Sequence, residues 1–162
     1  MKEKLTKSLE TYLLAIDTLL KTKETIIVKD VAGYLNFGGA STADAVKKLK
    51  EKGYVNYKPY GNITLTPYGE ELVRVKKYRH HTITKFLNKV LDINLKNAKS
   101  SAEKIEYSLD DDVLKRFVHF LDFMEQCSCS SPKWIKSCKT SLGSGVLSEK
   151  CKSCKGGCCC DK

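Results

Sequence analysis

The stretch STADAVKKLKEKGYV, residues 41–55, contains the signals for one short helix and for its end. Ser41 and Asp44 have the spacing of a capping box, in which the serine oxygen accepts from the Asp44 amide and the carboxylate reaches back. The spacing of the apolar positions predicts a helix over Ala43–Lys52 that presents its lysines to solvent. Gly53 is placed to end that helix in a left-handed cap, and a strand-like alternation follows it.

The residues before this helix predict two further helices. Apolar positions between Leu5 and Leu20 recur every three or four residues, which is typical of an amphipathic helix. The run from Ile26 to Leu35 predicts a short extended segment and a second helix, which the Gly38-Gly39 pair interrupts. Two short helices around a tight glycine turn indicate a helix-turn-helix.

The residues after the turn predict a two-stranded wing. Alternating runs at 54–58 and 63–65 flank the sequence PYGN, residues 59–62, which is a favourable hairpin connection. Thr66 and Pro67 then have the order of an N-cap and a first-turn proline, so a long helix is expected from there.

Two more helices are expected over 97–107 and 111–125. The second is expected to bury six apolar side chains, namely Val113, Leu114, Phe117, Val118, Leu121 and Met124. The chain is therefore predicted to be mainly α-helical. Its expected parts are a winged helix-turn-helix domain over 1–70, an α-helical domain over 71–126 and a cysteine-rich tail over 127–162.

The predicted helix-turn-helix suggests that the chain binds a double-stranded DNA operator. In such proteins the second helix of the motif enters the major groove and the wing lies near phosphates. The polar residues at these places are the candidates for DNA contact: Ser41, Thr42, Asp44, Lys47, Lys48, Lys58 and Asn62. Asp44 would repel phosphates, although it could accept from a cytosine amino group. A protein-binding module with a solvated lysine face is the alternative.

All eight cysteines lie after residue 126, and the formal net charge of +10 is shared equally between 1–126 and 127–162. A cysteine-free body argues against a secreted disulfide scaffold, and no 18-residue apolar run or secretory pattern is present. We therefore expect a cytoplasmic protein without a membrane partner.

The tail has the residue types of a thiolate metal site. The pair Cys151 and Cys154 is spaced for tetrahedral Zn²⁺ or an iron-sulfur cluster, and soft thiolates also accept Cu(I). The candidate ligands of the tail are Cys127, Cys129, Cys138, Cys151, Cys154, Cys158, Cys159 and Cys160. A tail of inert thiols is the alternative.

Five segments resemble the diphtheria toxin repressor and manganese transport regulator family, over residues 7–126: Ser8–Leu13, Ala43–Val55, Tyr60–Gly69, Tyr78–Leu87 and Ala102–Asp110. The resemblance implies a cytoplasmic, homodimeric, metal-activated transcriptional repressor. It also implies that the helices of 71–126 form the dimer interface and that a metal site links the first helix to this interface. Fe²⁺ or Mn²⁺ would be the ion.

The resemblance carries three metal ligands to this chain, namely His80, Glu103 and Glu106. An imidazole with two carboxylates suits Mn²⁺ or Fe²⁺, and residues three apart share a helix face. Thr11, Leu14 and Tyr107 stand at positions where the family has an acidic or methionine ligand, a glutamate and a histidine. We therefore expect one weakened family site or none. The alternative is that Glu103 and Glu106 lie on a solvated helix face and that His80 and His81 are partly buried polar residues.

The sequence as a whole predicts a metal-responsive DNA-binding regulator of metal homeostasis, with no catalytic constellation and therefore no enzymatic activity. The cysteines of the tail are the best candidates for a replacement or second sensor. One alternative is a metal-buffering or cluster-carrying protein that uses the winged helix to dimerise. A thiol sensor of oxidants is a third interpretation.

Overall fold

The computed structural model describes residues 5–59 and 61–126, and the chain divides into two compact units between Lys77 and Tyr78. The predictions for the tail after residue 126 lie outside the described residues. The elements are α1 Lys7–Leu20, α2 Val28–Leu35, α3 Gly39–Glu51, β1 Val55–Tyr57, β2 Ile63–Leu65, α4 Pro67–Lys89, α5 Leu95–Ser108 and α6 Asp111–Gln126. The predicted fold class is confirmed: the described part is mainly helical, with a small wing.

The third helix begins earlier than its sequence predicts. Gly38, in an extended conformation, is the N-cap of α3, and the Ser41 hydroxyl donates to the Gly38 carbonyl at 2.9 Å. The predicted capping box of Ser41 and Asp44 is therefore wrong, because both residues already lie inside the helix. The predicted end is confirmed, since Gly53 has φ +77° and its N–H donates to the Lys50 carbonyl.

The wing is an antiparallel pair of three-residue strands. Val55 lies opposite Leu65, and Tyr57 lies opposite Ile63. The Ile63 N–H also donates to the carbonyl of Ile26 at 2.9 Å, so the wing is attached to the segment before α2. This attachment fixes the wing beside the helix-turn-helix.

One hydrophobic core holds the first unit together. The first turn of α4 closes this core against Tyr54. Gly69 in that turn lies so close to Tyr54 that an added Cβ would be 2.1 Å from the Tyr54 carbonyl oxygen. The fully buried side chains come from α1, the segment before α2, α2, α3 and the wing: Leu13, Ile16, Ile26, Val31, Val46, Leu49 and Ile63. Each such side chain contributes about 1.5–3 kcal/mol of hydrophobic stabilisation.

A separate core lies in the second unit. It consists of apolar residues from the end of α4, from α5 and from α6: Ile83, Leu87, Ala98, Ala102, Leu114, Val118 and Leu121. The prediction that Val113 is buried is wrong, because its side chain is 51% exposed. Phe120 and Phe123 are 52% and 61% exposed on the same helix, so α6 has a buried apolar face and a second, exposed one. Among the described residues, no helix is long and apolar enough to cross a membrane.

Candidate DNA-binding and metal-binding residues

The outer face of α3 carries most of the candidate DNA contacts. Asp44 and Lys47 are 70% and 60% exposed, and their charged atoms lie 3.9 Å apart. Lys48 and Ser41 are also exposed, while Val46 and Leu49 anchor the opposite face in the first core. The helix therefore presents a polar surface from a rigid support, which is what a DNA-reading helix requires.

Thr42 differs from its neighbours on α3. Its side chain is fully buried, and its hydroxyl donates to the Gly38 carbonyl at 2.9 Å. The prediction that Thr42 contacts DNA does not fit this burial. Thr42 shares a face with Val46 and Leu49, and a threonine there closes the start of the helix against the core.

The two candidate residues of the wing have different surroundings. Lys58 is exposed directly after β1, where it can reach a phosphate. Asn62 is exposed too, but its Oδ1 atom accepts a hydrogen bond from the Ile26 N–H at 2.9 Å. Asn62 therefore has a positioning role in the wing, which the sequence pattern did not indicate.

His80 and Glu106, two of the three expected metal ligands, lie together in the second unit. The Nδ1 atom of His80 is 2.8 Å from Oε1 of Glu106, and the two side chains are 40% and 12% exposed. This hydrogen bond raises the pKa of His80. Burial of the imidazole lowers the pKa by a smaller amount, and the negative charges of Glu106 and Glu103 raise it further. An imidazole nitrogen and a carboxylate oxygen fit Mn²⁺ or Fe²⁺ as two ligands.

Glu103, the third expected ligand, lies one turn before Glu106 on α5 and is exposed. Within residues 5–59 and 61–126, however, no three His, Asp or Glu side chains converge as they do around a bound ion. Tyr107, at the family's histidine position, is 61% exposed. The described part of the second unit therefore offers His80 and Glu106 as a pair of metal-binding side chains, with the carboxylate of Glu103 nearby on α5.

The first helix has no strong metal-binding side chain at the two positions where the family has metal ligands. Thr11 is exposed, and its hydroxyl donates to the Lys7 carbonyl at 3.0 Å. Leu14 packs against the first core. Instead, Glu10 and Asp17 of α1 form ion pairs with lysines of α4, which sequence periodicity could not reveal because the partners are far apart in the chain.

Comparison with known proteins agrees with this geometry. The family described as the N-terminal DNA-binding domain of iron-dependent repressors matches residues 4–63, and the metal-binding and dimerisation domain of the same repressors matches residues 66–135.

Individual relatives match over most of the chain. An uncharacterized HTH-type transcriptional regulator of Methanocaldococcus jannaschii is 35% identical over 119 residues, which are 73% of this chain and 95% of that protein. The HTH-type transcriptional regulator MntR of Lysinibacillus sphaericus is 30% identical over 121 residues, 75% of this chain and 86% of the relative. The crystal structure of the metal-dependent transcriptional regulator MtsR superimposes with a TM-score of 0.63 at 25% identity, covering 74% of this chain and 55% of MtsR. The chain therefore belongs to the iron-dependent repressor family, that of the diphtheria toxin repressor and the manganese transport regulator, whose members are metal-responsive, DNA-binding transcriptional regulators.

Proposed function

We propose that this protein is a homodimeric repressor that binds a double-stranded DNA operator and whose affinity for it changes with divalent Fe²⁺ or Mn²⁺. The observation that carries the proposal is the outer face of α3, where Asp44 and Lys47 are exposed while Val46 and Leu49 are buried. Because DNA is its partner, we place the protein in the cytoplasm.

The DNA-binding domain, residues 1–70, would use two kinds of contact. Lys47, Lys48 and Lys58 are exposed cations that would neutralise phosphates, which makes binding strongly salt-dependent. Ser41 and Asp44 are exposed near the start of α3 and would face base edges. Asn62 would keep the wing in position rather than read a base, and Thr42 would support α3 from inside.

The second domain, residues 71–126, would bind metal through His80 and Glu106, with Glu103 as a third donor from the same helix as Glu106. A bound Fe²⁺ or Mn²⁺ would supply positive charge between these donors. In its absence, the His80–Glu106 hydrogen bond holds α4 and α5 together at this point. The metal therefore has to replace an existing contact, which favours a weak site.

The same domain would carry the dimer interface. α6 leaves Val113, Phe120 and Phe123 more than half exposed. Large apolar residues on one face of a helix are typical of an interface that a second subunit covers. A dimer would also present two copies of α3, as a palindromic operator requires.

The tail would hold metal through its thiols, as Zn²⁺ or an iron-sulfur cluster. The support is the sequence, since five of the eight cysteines lie between Cys151 and Cys160. The same concentration of thiols favours a second candidate function, metal buffering or cluster carriage. In that case the winged helix would serve for dimerisation only.

The proposal is tested by selecting duplexes from a random pool with the full-length protein, then measuring affinity for the selected duplex by fluorescence anisotropy. Titrations in chelator, Mn²⁺ and anaerobic Fe²⁺ use the wild type, Lys48→Ala and His80→Ala. We expect Lys48→Ala to weaken binding to all duplexes and to reduce the salt slope by about 1.8, because the dimer loses one phosphate contact from each subunit. We expect His80→Ala to abolish the metal response while leaving metal-free binding intact. Failure to select any sequence would overturn the proposal and favour buffering.

A parallel measurement addresses the tail. Iron, zinc and acid-labile sulfide are quantified in anaerobically purified wild type and in the Cys151→Ser/Cys154→Ser variant. Iron with sulfide that disappears in the variant indicates a cluster, and zinc that disappears indicates a structural metal. Equal metal contents in both proteins would contradict a metal site at these cysteines.

A further inference from the structure

Two ion pairs join α1 to α4 within the first unit, and we call them the α1–α4 ion pairs. The Nζ atom of Lys76 is 2.6 Å from Oε2 of Glu10. The Nζ atom of Lys77 donates to Oδ2 of Asp17, which also accepts from Lys21 at 3.1 Å. The partners in each α1–α4 ion pair are separated by about sixty residues of sequence or more, so these are tertiary contacts.

The carboxylates of the α1–α4 ion pairs are largely shielded from solvent. Glu10 and Asp17 are 16% and 15% exposed, while Lys76 is 22% and Lys77 40% exposed. Burial would raise the pKa of Asp17, but the hydrogen bonds from Lys77 and Lys21 outweigh that effect and lower it. The Asp17 carboxylate is therefore charged at neutral pH. Shielding strengthens such pairs relative to those on an open surface.

The positions of the pairs restrict how α1 can move. Glu10 and Asp17 are seven residues apart, which is two helical turns on one face of α1. Their partners are adjacent in α4. Two contacts about 10 Å apart along α1 prevent the helix from sliding and from swinging about a single contact. Because Leu13 and Ile16 of α1 pack in the core with Val46 and Leu49, fixing α1 also supports α3.

The same region is unsuited to a cation. Thr11 and Leu14 offer no strong donor, and the carboxylates on either side of them are already paired with ammonium groups. Lys76 and Lys77 place two positive charges beside α1, and these would repel a divalent ion. A metal ion that joins α1 to the rest of the chain, as the family resemblance implies, does not fit these residues.

We propose that the α1–α4 ion pairs hold the first helix in place without a metal ion, so that the DNA-binding unit has its full folded arrangement in the metal-free protein. Any response to metal then arises outside the contact between α1 and α4. The proposal concerns the first unit alone and does not depend on whether an operator exists.

Hydrogen exchange of the α1 amides in the full-length protein, with EDTA and with Mn²⁺, tests this. In the wild type we expect protection in EDTA to match protection in Mn²⁺ within about twofold. In the Glu10→Gln/Asp17→Asn variant we expect α1 protection to fall by about fivefold or more in both conditions, as loss of partly buried pairs predicts. Glu71→Gln is the matched control, because it removes an exposed pair with Arg74 on the same helix α4.

Two results would overturn the proposal. One is a wild-type α1 whose protection rises more than about tenfold on addition of Mn²⁺, since the metal would then be what closes the contact. The other is a Glu10→Gln/Asp17→Asn variant that exchanges like the Glu71→Gln control. If the double variant unfolds, the charge exchange Glu10→Lys/Lys76→Glu is compared with Glu10→Lys alone. Protection recovered by the exchange supports the proposal, and protection still absent contradicts it.

These outcomes differ from failure of the proposed function, because no DNA is present in the exchange experiment. A protein that selects no duplex can still show a metal-independent α1. Equally, a protein that binds its operator only with Mn²⁺ can be found with α1 already protected in EDTA.

Discussion

The side-chain oxygen of Asn62 accepts a hydrogen bond from the backbone N–H of Ile26 at 2.9 Å. Ile26 is fully buried, and its carbonyl accepts from the N–H of Ile63, the residue after Asn62. Both backbone groups of Ile26 are thus satisfied by the wing. The segment before α2 and the wing therefore depend on each other for their conformation.

Replacing Asn62 by alanine tests this dependence. We expect Asn62→Ala to lower the free energy of unfolding by about 1–2 kcal/mol, because the N–H of Ile26 loses its acceptor. Urea unfolding followed by circular dichroism measures the change. Asn62→Asp, which keeps an acceptor oxygen, is expected to retain most of the stability. Equal losses in the two variants would show that the acceptor is unimportant.

Gly69 is predicted to be intolerant of any side chain. A Cβ at this position would lie 2.1 Å from the carbonyl oxygen of Tyr54, and neither backbone can yield without disturbing the first core. We expect Gly69→Ala to destabilise the protein by about 2 kcal/mol or more. Gly33→Ala, in α2 with no atom within 4 Å of the added Cβ, is the control and is expected to stabilise by up to about 1 kcal/mol. Similar stabilities for the two variants would contradict this packing.

The cap of α2 gives the protein a defined loss of stability in acid. The Asp30 carboxylate accepts hydrogen bonds from Lys23 at 2.6 Å and from the Ile27 N–H at 2.9 Å. Both bonds lower the pKa of Asp30, the one from Lys23 more than the one from Ile27, and burial opposes them only slightly. Because the folded pKa lies below the unfolded value of about 3.9, the carboxylate stabilises the fold above that pH. This contribution disappears as the pH falls through the folded pKa.

The expected signature is a stability difference between wild type and Asp30→Asn that is present at neutral pH and shrinks below about pH 4. Urea midpoints measured across that range give the difference. The asparagine oxygen can still accept from Ile27, so the variant isolates the charge. A difference that stays constant into acid would exclude the Asp30 charge as its origin.

Asp44 is predicted to reduce the affinity of α3 for DNA in general. Its exposed carboxylate adds negative charge beside Lys47 on the face proposed to meet phosphates. We expect Asp44→Asn to tighten binding to a random duplex several-fold and, if a cytosine is read there, to relax selectivity at one base pair by about 1–3 kcal/mol. Glu51→Gln, which removes the same charge at the other end of α3, is the control. Identical anisotropy titrations for both variants would exclude a local role for Asp44.

The exposed face of α6 is predicted to hold the dimer together. Phe120 and Phe123 are more than half exposed, and their replacement by serine removes apolar area without disturbing the core residues Leu114, Val118 and Leu121. We expect Phe120→Ser/Phe123→Ser to sediment as a monomer at concentrations where the wild type is a dimer. Lys115→Ser, on an exposed position of the same helix, should remain dimeric. A dimeric double variant would place the interface elsewhere.

Periodicity predicted the elements well because burial dominates their stability. The spacing of apolar residues located α1, α2 and both strands of the wing, and the structure has these elements close to the predicted ranges. The Gly53 cap was predictable from the residue type alone, since the required left-handed backbone favours glycine. Residue types did not predict the start of α3 correctly. Gly38 is the N-cap of this helix, although Ser41 is also of a type that commonly occupies that position.

The remaining features depend on information that the local pattern lacks. α6 has two apolar faces, and periodicity alone does not tell which of them packs in the core, so the pattern predicts burial for Val113 although its side chain is exposed. Thr42 carries a hydroxyl like the exposed Ser41 beside it, yet it lies on the buried face. Family resemblance alone assigns His80 and Glu106 to one metal site, and their direct hydrogen bond was not predicted. The ion pair of Glu10 with Lys76 had no signal in the sequence.

At Leu14, an apolar side chain stands where the manganese branch of the family has a glutamate. This leucine packs against the first core. A glutamate at the same position would place a charge against apolar side chains and remove their contacts, which would lower the free energy of unfolding. Folding stability and metal binding therefore compete at this position, because Leu14→Glu would give α1 a carboxylate for an ion at the expense of the apolar contacts that hold the helix.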